Sequence, residues 1–180
     1  MKKLIFFGVI FIASVSLFAQ TADKIETEYY GLKWGCSPAE LKAKYPSAYH
    51  NGKNDDGDDL YYLNTGNETR VFFFGNNKFY IGRIVYVDCT YEKGLALVKK
   101  IIDTYGQFDD YSKGSSNGNE YYTFINHYSS KITISCELVT IKNAYGYSIS
   151  ENLMITYTNN ALKSQIQQDR INKMQDDLEI

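Results

Sequence analysis

The stretch Ile132-Thr133-Ile134-Ser135-Cys136-Glu137-Leu138 alternates apolar and polar residues without a break. Side chains of a strand point to opposite faces in turn, so this segment reads as a strand with one buried and one wetted face. Working outward, residues 120–127 and 152–158 read as strands on either side of it, with Tyr128-Ser129-Ser130 as the turn before it. Three further strand runs lie upstream: Leu60 to Asn64, Arg70 to Phe74 and Phe79 to Tyr91. Gly75-Asn76-Asn77-Lys78 joins the last two as a hairpin signal. In the long run, Phe79, Ile81, Val85, Val87 and Cys89 are expected on one face. Arg83 interrupts that series and marks an edge, a bulge or an ion pair.

Each set of strands follows a helix. In Cys36-Ser37-Pro38-Ala39-Glu40-Leu41, Ser37 and Glu40 have the spacing of a capping box. Pro38 stands at the first helical position, where its missing N–H leaves nothing unpaired. Cys36 and Leu41 occupy the positions of a hydrophobic staple, and Pro46 ends the helix. A second helix carries Leu95, Val98, Ile101, Ile102 and Tyr105 at helical spacing, with Gly106 at its C-terminal end. A third spans 160–180. There Leu162 and Ile166 share one face, while Ile171, Met174 and Leu178 turn to another, so its second half either frays or meets a partner. Residues 26–34 read as an extended entry, and 51–59, 109–119 and 144–150 as polar connections.

The order is helix, three strands, helix, three strands, helix. It implies an α+β fold in which helices cover one face of an antiparallel sheet. Residues 31–91 and 93–159 form a possible tandem α-βββ repeat.

Lys2 and Lys3, an apolar run from Leu4 to Phe18 and the small exit residue Ala19 have the form of a secretory signal peptide, leaving 20–180 as one domain. The run is shorter than the roughly 20 residues of a membrane span. Cys36 stands too far beyond it to carry a lipid anchor, so the expected product is exported, periplasmic or secreted, with no membrane span. A formal charge of −2 and the lack of clustered Lys and Arg argue against nucleic acid as a partner. The 17 tyrosines suit both sheet packing and a binding face.

The run Gly31-Leu32-Lys33-Trp34-Gly35-Cys36-Ser37-Pro38-Ala39-Glu40-Leu41 resembles the opening of many small exported bacterial α+β proteins of unknown function. In these an aromatic-Gly-x-Ser-x-x-Glu element starts a helix. Ile102-Asp103-Thr104-Tyr105-Gly106 looks like the Tyr-Gly element that often follows. The helix opening is also similar to that of outer-membrane assembly lipoproteins of the SmpA/OmlA (BamE) type. The doubled plan resembles that of the β-lactamase inhibitory protein. The resemblance implies a fold and a compartment, and little about activity.

Chemical signals are sparse. Gly114-Ser115-Ser116-Asn117-Gly118 matches a nucleophile-elbow pattern, which requires a strand-to-helix turn, yet lies in an expected polar loop before a strand. His50 and His127 have no second ligand at metal spacing. Asp55, Asp56, Asp58 and Asp59 around Gly57 are the candidate metal ligands, with oxygens suited to Ca²⁺, although the register fails the EF-hand pattern. Cys89 and Cys136 fall on apolar strand faces and can form a disulfide if their strands are neighbours; otherwise they are buried thiols.

These signals point to an exported non-enzymatic binding or protein-interaction module of the cell envelope, its partner another envelope protein or a small ligand. The alternatives are an exported hydrolase working through two carboxylates and a carbohydrate or small-ligand binder using surface Tyr rings.

Overall fold

A computed structural model describes residues 22–66, 68–116, 119–142 and 148–178. The leader read from residues 1–19 lies outside them, as do residues 143–147 of the last connection. The chain enters through a one-turn helix α1 (Ala22–Ile25) and a short hairpin, β1 (Glu28–Tyr29) and β2 (Leu32–Lys33). Helix α2 (Pro38–Lys44) leads into β3 (Tyr49–Lys53), β4 (Asp59–Asn64), β5 (Thr69–Gly75) and β6 (Lys78–Cys89). Helix α3 (Tyr91–Tyr105) leads into β7 (Asp110–Ser116), β8 (Asn119–Asn126), β9 (Ile132–Lys142) and β10 (Ser148–Asn159). Helix α4 (Asn160–Leu178) closes the chain.

The eight long strands form one antiparallel sheet in the order β3-β4-β5-β6-β10-β9-β8-β7. Each helix therefore precedes a four-stranded meander, and the two meanders meet through their last strands. The expected three strands per unit becomes four. The strands missed, β3 and β7, are the two outer edges of the sheet, and every residue in them is exposed. An edge strand with both faces wet carries no apolar alternation, so its sequence reads as a loop.

Local signals set the helices. Ser37 Oγ accepts from the Glu40 amide at 3.4 Å, and Glu40 Oε2 accepts from the Ser37 amide at 2.8 Å, completing the capping box. Cys36 and Leu41 are both buried, as a staple requires. Thr90 caps α3 by accepting from the Lys93 amide at 3.3 Å. Ile101 and Tyr105 of α3 are buried, with Leu97 and Val98 half-buried beside them, but Leu95 is 46% exposed and lies off the expected stripe.

One core fills the helix-bearing inner face. It joins Leu41 of α2 and Ile101 and Tyr105 of α3 to Phe72, Ile84, Tyr86, Ile134, Cys136, Ile155 and Tyr157 of the sheet. The β6 face assignment needs correcting. Phe79 pairs with Phe74, but Ile81 pairs with Phe73, so Tyr80 is an extra residue at a bulge. A second irregularity falls between Tyr86 and Cys89. Phe79, Ile84, Tyr86 and Cys89 consequently face the core, while Ile81, Arg83, Val85 and Val87 face out. Arg83 stands between Ile81 and Val85 on the outward face, where it interrupts the apolar run Ile81, Val85, Val87, as its position in the sequence suggests.

The β1–β2 hairpin wedges the two halves together. Its turn uses Tyr30 and Gly31, both at positive φ (50° and 72°), the geometry of a two-residue hairpin turn. Tyr29 is fully buried among Phe72, Phe79 and Tyr157. Its ring lies where a Cβ on Gly82 would stand, 2.6 Å away. Gly82 pairs with Tyr157 across the β6–β10 seam, so the wedge sits where the two meanders join.

Gly82→Ala is expected to destabilise the protein by about 1–3 kcal/mol, because backbone and ring must part. Urea denaturation measures it, and the same substitution at exposed Gly114, which has open space around it, serves as the control. Burial holds the Tyr29 and Tyr157 phenols well above the usual tyrosine value, and Tyr105 up to about 12. These groups stay neutral in the fold and ionise once unfolded. Their contribution is therefore complete below about pH 10 and is lost as pH rises from there. Denaturation midpoints across the alkaline range should fall in step with tyrosinate absorbance.

Candidate binding face

The outer face of the sheet is built by register. One row crosses all eight strands: Tyr49, Tyr62, Val71, Arg83, Thr156, Ser135, Ile125 and Asp110. The adjacent row carries Thr69, Val85, Met154, Glu137 and Thr123. Most of these side chains are half-buried by their neighbours alone, because only α4 lies on this face. It covers one corner, where Ile166 joins Val71, Phe73 and Tyr80 in a second, smaller cluster.

Arg83 stands at the centre. Its guanidinium lies over the Phe73 ring, 5.1 Å from the centroid, and Nε donates to Thr156 Oγ1 at 3.0 Å. Among the described residues it makes no ion pair with a carboxylate. Burial among the strands lowers its pKa, and the more distant charge of Glu137 works against that shift. A groove of about 350 Å³ opens beside it, lined by Phe73, Tyr80, Ile81 and the loop residues Asn54, Asp55, Asp56 and Asp58.

The aspartate cluster does not converge. Asp58 is buried: Oδ2 accepts from Tyr80 Oη at 2.7 Å and from Asn54 Nδ2 at 3.0 Å, and Oδ1 is ion-paired with Arg170 of α4. Burial and the bond to Asp58 push the Tyr80 phenol upward. Asp59 turns the other way, to His50 at 3.0 Å and Lys53 at 3.6 Å. Asp55 and Asp56 remain exposed in the turn. Among the described residues no group of three or more His, Cys, Asp or Glu side chains is placed to hold a metal ion.

Of the two readings of Cys89 and Cys136, the structure has buried thiols and no disulfide. Strand β10 lies between β6 and β9, Cys89 is level with Glu151, and Cys136 is level with Ile155. Two strands spaced about 4.8 Å apiece hold the thiols beyond bridging range. Cys36, Cys89 and Cys136 are all buried and none is in a disulfide, and burial pushes the Cys36 and Cys136 thiols up to about 12. Gly114 to Ser116 lie in the exposed edge strand β7, which runs on to another strand and forms no strand-to-helix turn; Asn117 and Gly118 are outside the described residues. His50 and His127 sit near opposite edges of the sheet, each beside an aspartate.

Sequence reading missed a second buried carboxylate. Glu68 accepts from Arg70 Nε at 2.7 Å and from Tyr86 Oη at 2.9 Å on the inner face. The Arg70 guanidinium lies 4.1 Å from the Tyr30 ring centroid, tying the entry hairpin to the sheet. Glu68 and Arg70 two apart, just before and inside a strand, are the only local signal. Most of the described tyrosines serve this inner layer; Tyr49, Tyr62, Tyr80 and Tyr121 lie on the outer face.

Comparison with family models, with curated proteins and with solved structures yields no match. Fold and face define an α+β protein whose broad sheet is clothed on one side and largely open on the other. Among the described residues, no helix is long and apolar enough to cross a membrane.

Asp58→Ala should cost about 3–5 kcal/mol, the range for removing one partner of a buried ion pair, because it strips Tyr80 and Arg170 of their acceptor together. With Asp58 and Asp59 already engaged, millimolar Ca²⁺ should not raise the melting temperature; calorimetric scans with and without the ion check this.

Proposed function

We propose that this protein is an exported, non-enzymatic binding module of the cell envelope that docks a partner protein on the outer face of its sheet. The supporting observation is Arg83: a charged, planar donor at the middle of a mostly aromatic, aliphatic and hydroxyl face, stacked on Phe73 and, among the described residues, in no ion pair, with Glu137 the carboxylate that acts on it from a distance. Interface hot spots are enriched in Arg and Tyr set in partly desolvated surroundings. A fixed guanidinium in such a place selects a partner that brings a carboxylate to it. Export is supported by the leader at Lys2 to Ala19.

The test is affinity capture from envelope extracts using immobilised protein (residues 20–180), followed by titration of the captured partner. Arg83→Glu and Met154→Asp should each weaken binding at least tenfold, about 1.4 kcal/mol, with melting temperature unchanged. Capture of no specific partner, or variants that bind as tightly as the unaltered protein, would overturn the reading.

A further inference from the structure

We propose that two copies of this chain associate through α4, antiparallel, with the C-terminal half of each helix lying in the groove between the other copy's α4 and sheet. The helix has two apolar faces. Leu162 and Ile166 point to the sheet, and Arg170, joined to Asp58, is the last residue fastened to it by an ion pair among those described. Two more turns follow. There Ile171, Met174 and Leu178 are 48%, 64% and 73% exposed. Their spacing of three and four residues is that of a helix–helix seam. A helix end with no packed face gains little from its own backbone, so this stripe is a surface awaiting cover.

The same face of α4, followed back toward its start, bears Gln167 and Lys163. These two side chains and Ile171 form one wall of a groove of about 550 Å³, whose other side is Ile81, Tyr80 and Asp56. Stripe and groove are thus continuous, sharing Ile171. A two-fold interface needs a surface that is complementary to itself, and this one is. An antiparallel partner centred near Ile171 sets its Met174 and Leu178 against the Gln167–Lys163 turn, above Ile81.

Charge fixes the orientation. Lys163, Arg170 and Asp177 are seven residues apart and so lie along one flank of the helix. A two-fold axis near Arg170 and Ile171 runs that flank past its own copy, placing Lys163 opposite the partner copy's Asp177 and Asp177 opposite its Lys163, while each Arg170 at the axis is neutralised by Asp58 of its own chain. Neither has an ion-pair partner among the described residues of its own chain. A parallel pair would set Lys163 against Lys163. The flank is the one nearest the sheet, which draws the second helix into the groove and away from open solvent.

Sedimentation equilibrium on purified protein (residues 20–180), with no other partner present, tests this separately from the binding role above. The expected result is a concentration-dependent dimer at micromolar to millimolar protein. Met174→Asp/Leu178→Asp should sediment as a monomer with an unchanged circular dichroism spectrum. Lys163→Glu and Asp177→Lys should each weaken the dimer, and the two combined should restore it. A monomer at every concentration, a dimer indifferent to the Met174/Leu178 change, or a double charge swap no tighter than the single ones would each overturn the proposal.

Discussion

The Tyr29 ring packed against Gly82 is the contact on which the two halves of this protein depend. An eight-stranded sheet made of two meanders has one seam, between β6 and β10. Backbone pairing holds that seam in the plane of the sheet but does nothing above it. Gly82 removes a side chain at the middle of the seam and leaves a hollow. Tyr29 fills it, touching Phe72 and Phe79 from one half and Tyr157 from the other. A ring of this size buries 150–250 Å², more than any aliphatic residue at position 82 could offer. The wedge is held from behind by Trp34, which stacks on Phe79 at 4.8 Å and donates from Nε1 to the Ile25 carbonyl at 2.7 Å.

That arrangement leaves three phenols in the core with a polar end to accommodate. Tyr86 reaches Glu68, but the hydroxyls of Tyr29, Tyr105 and Tyr157 are buried with no partner among the described residues. An unsatisfied buried hydroxyl costs about 1–3 kcal/mol, so packing area decides here, and the rings remain inside despite their oxygens. The same preference explains why so Tyr-rich a chain keeps few tyrosines on its open face.

How far the sequence reveals this fold depends on where each residue's burial is decided. The strand at Ile132 to Leu138 lies inside one sheet with one dry face, and its alternation is complete. The capping box at Ser37 and Glu40 is equally plain, because its geometry is local. Strands β3 and β7 escape because edges need no apolar face. The β6 faces escape because two bulges exchange the parity, and nothing in Phe79-Tyr80-Ile81 announces an extra residue. The Tyr29–Gly82 contact spans more than fifty positions. In the acidic loop the charges are visible but their use is not: Asp58 serves Arg170, 112 residues away.

The outer face shows how one element can both close and open a surface. Tyr80 is displaced outward by its bulge, and its hydroxyl meets Asp58 while its ring joins Ile166. Gly75 lets Ile166 come close, since a Cβ there would stand 2.6 Å from its side chain. Arg170 then locks the helix to the β3–β4 loop through Asp58. All three fastenings lie at one corner, over the start of β6 and the end of β5. Among the described residues nothing comparable anchors a helix over β8 to β10, where the outward Tyr121, Ile125 and Met154 are outnumbered by Thr123, Ser135, Glu137, Asn152 and Thr156. Those side chains hold water well and pack a helix poorly. The sheet is therefore covered where its outer residues are Phe73 and Tyr80 and open where they turn polar. Arg83 lies on the boundary, with an aromatic ring on one side and a hydroxyl on the other. A group at such a boundary is oriented by its own protein yet retains donors for another, which is the condition for recognition by a fixed charge.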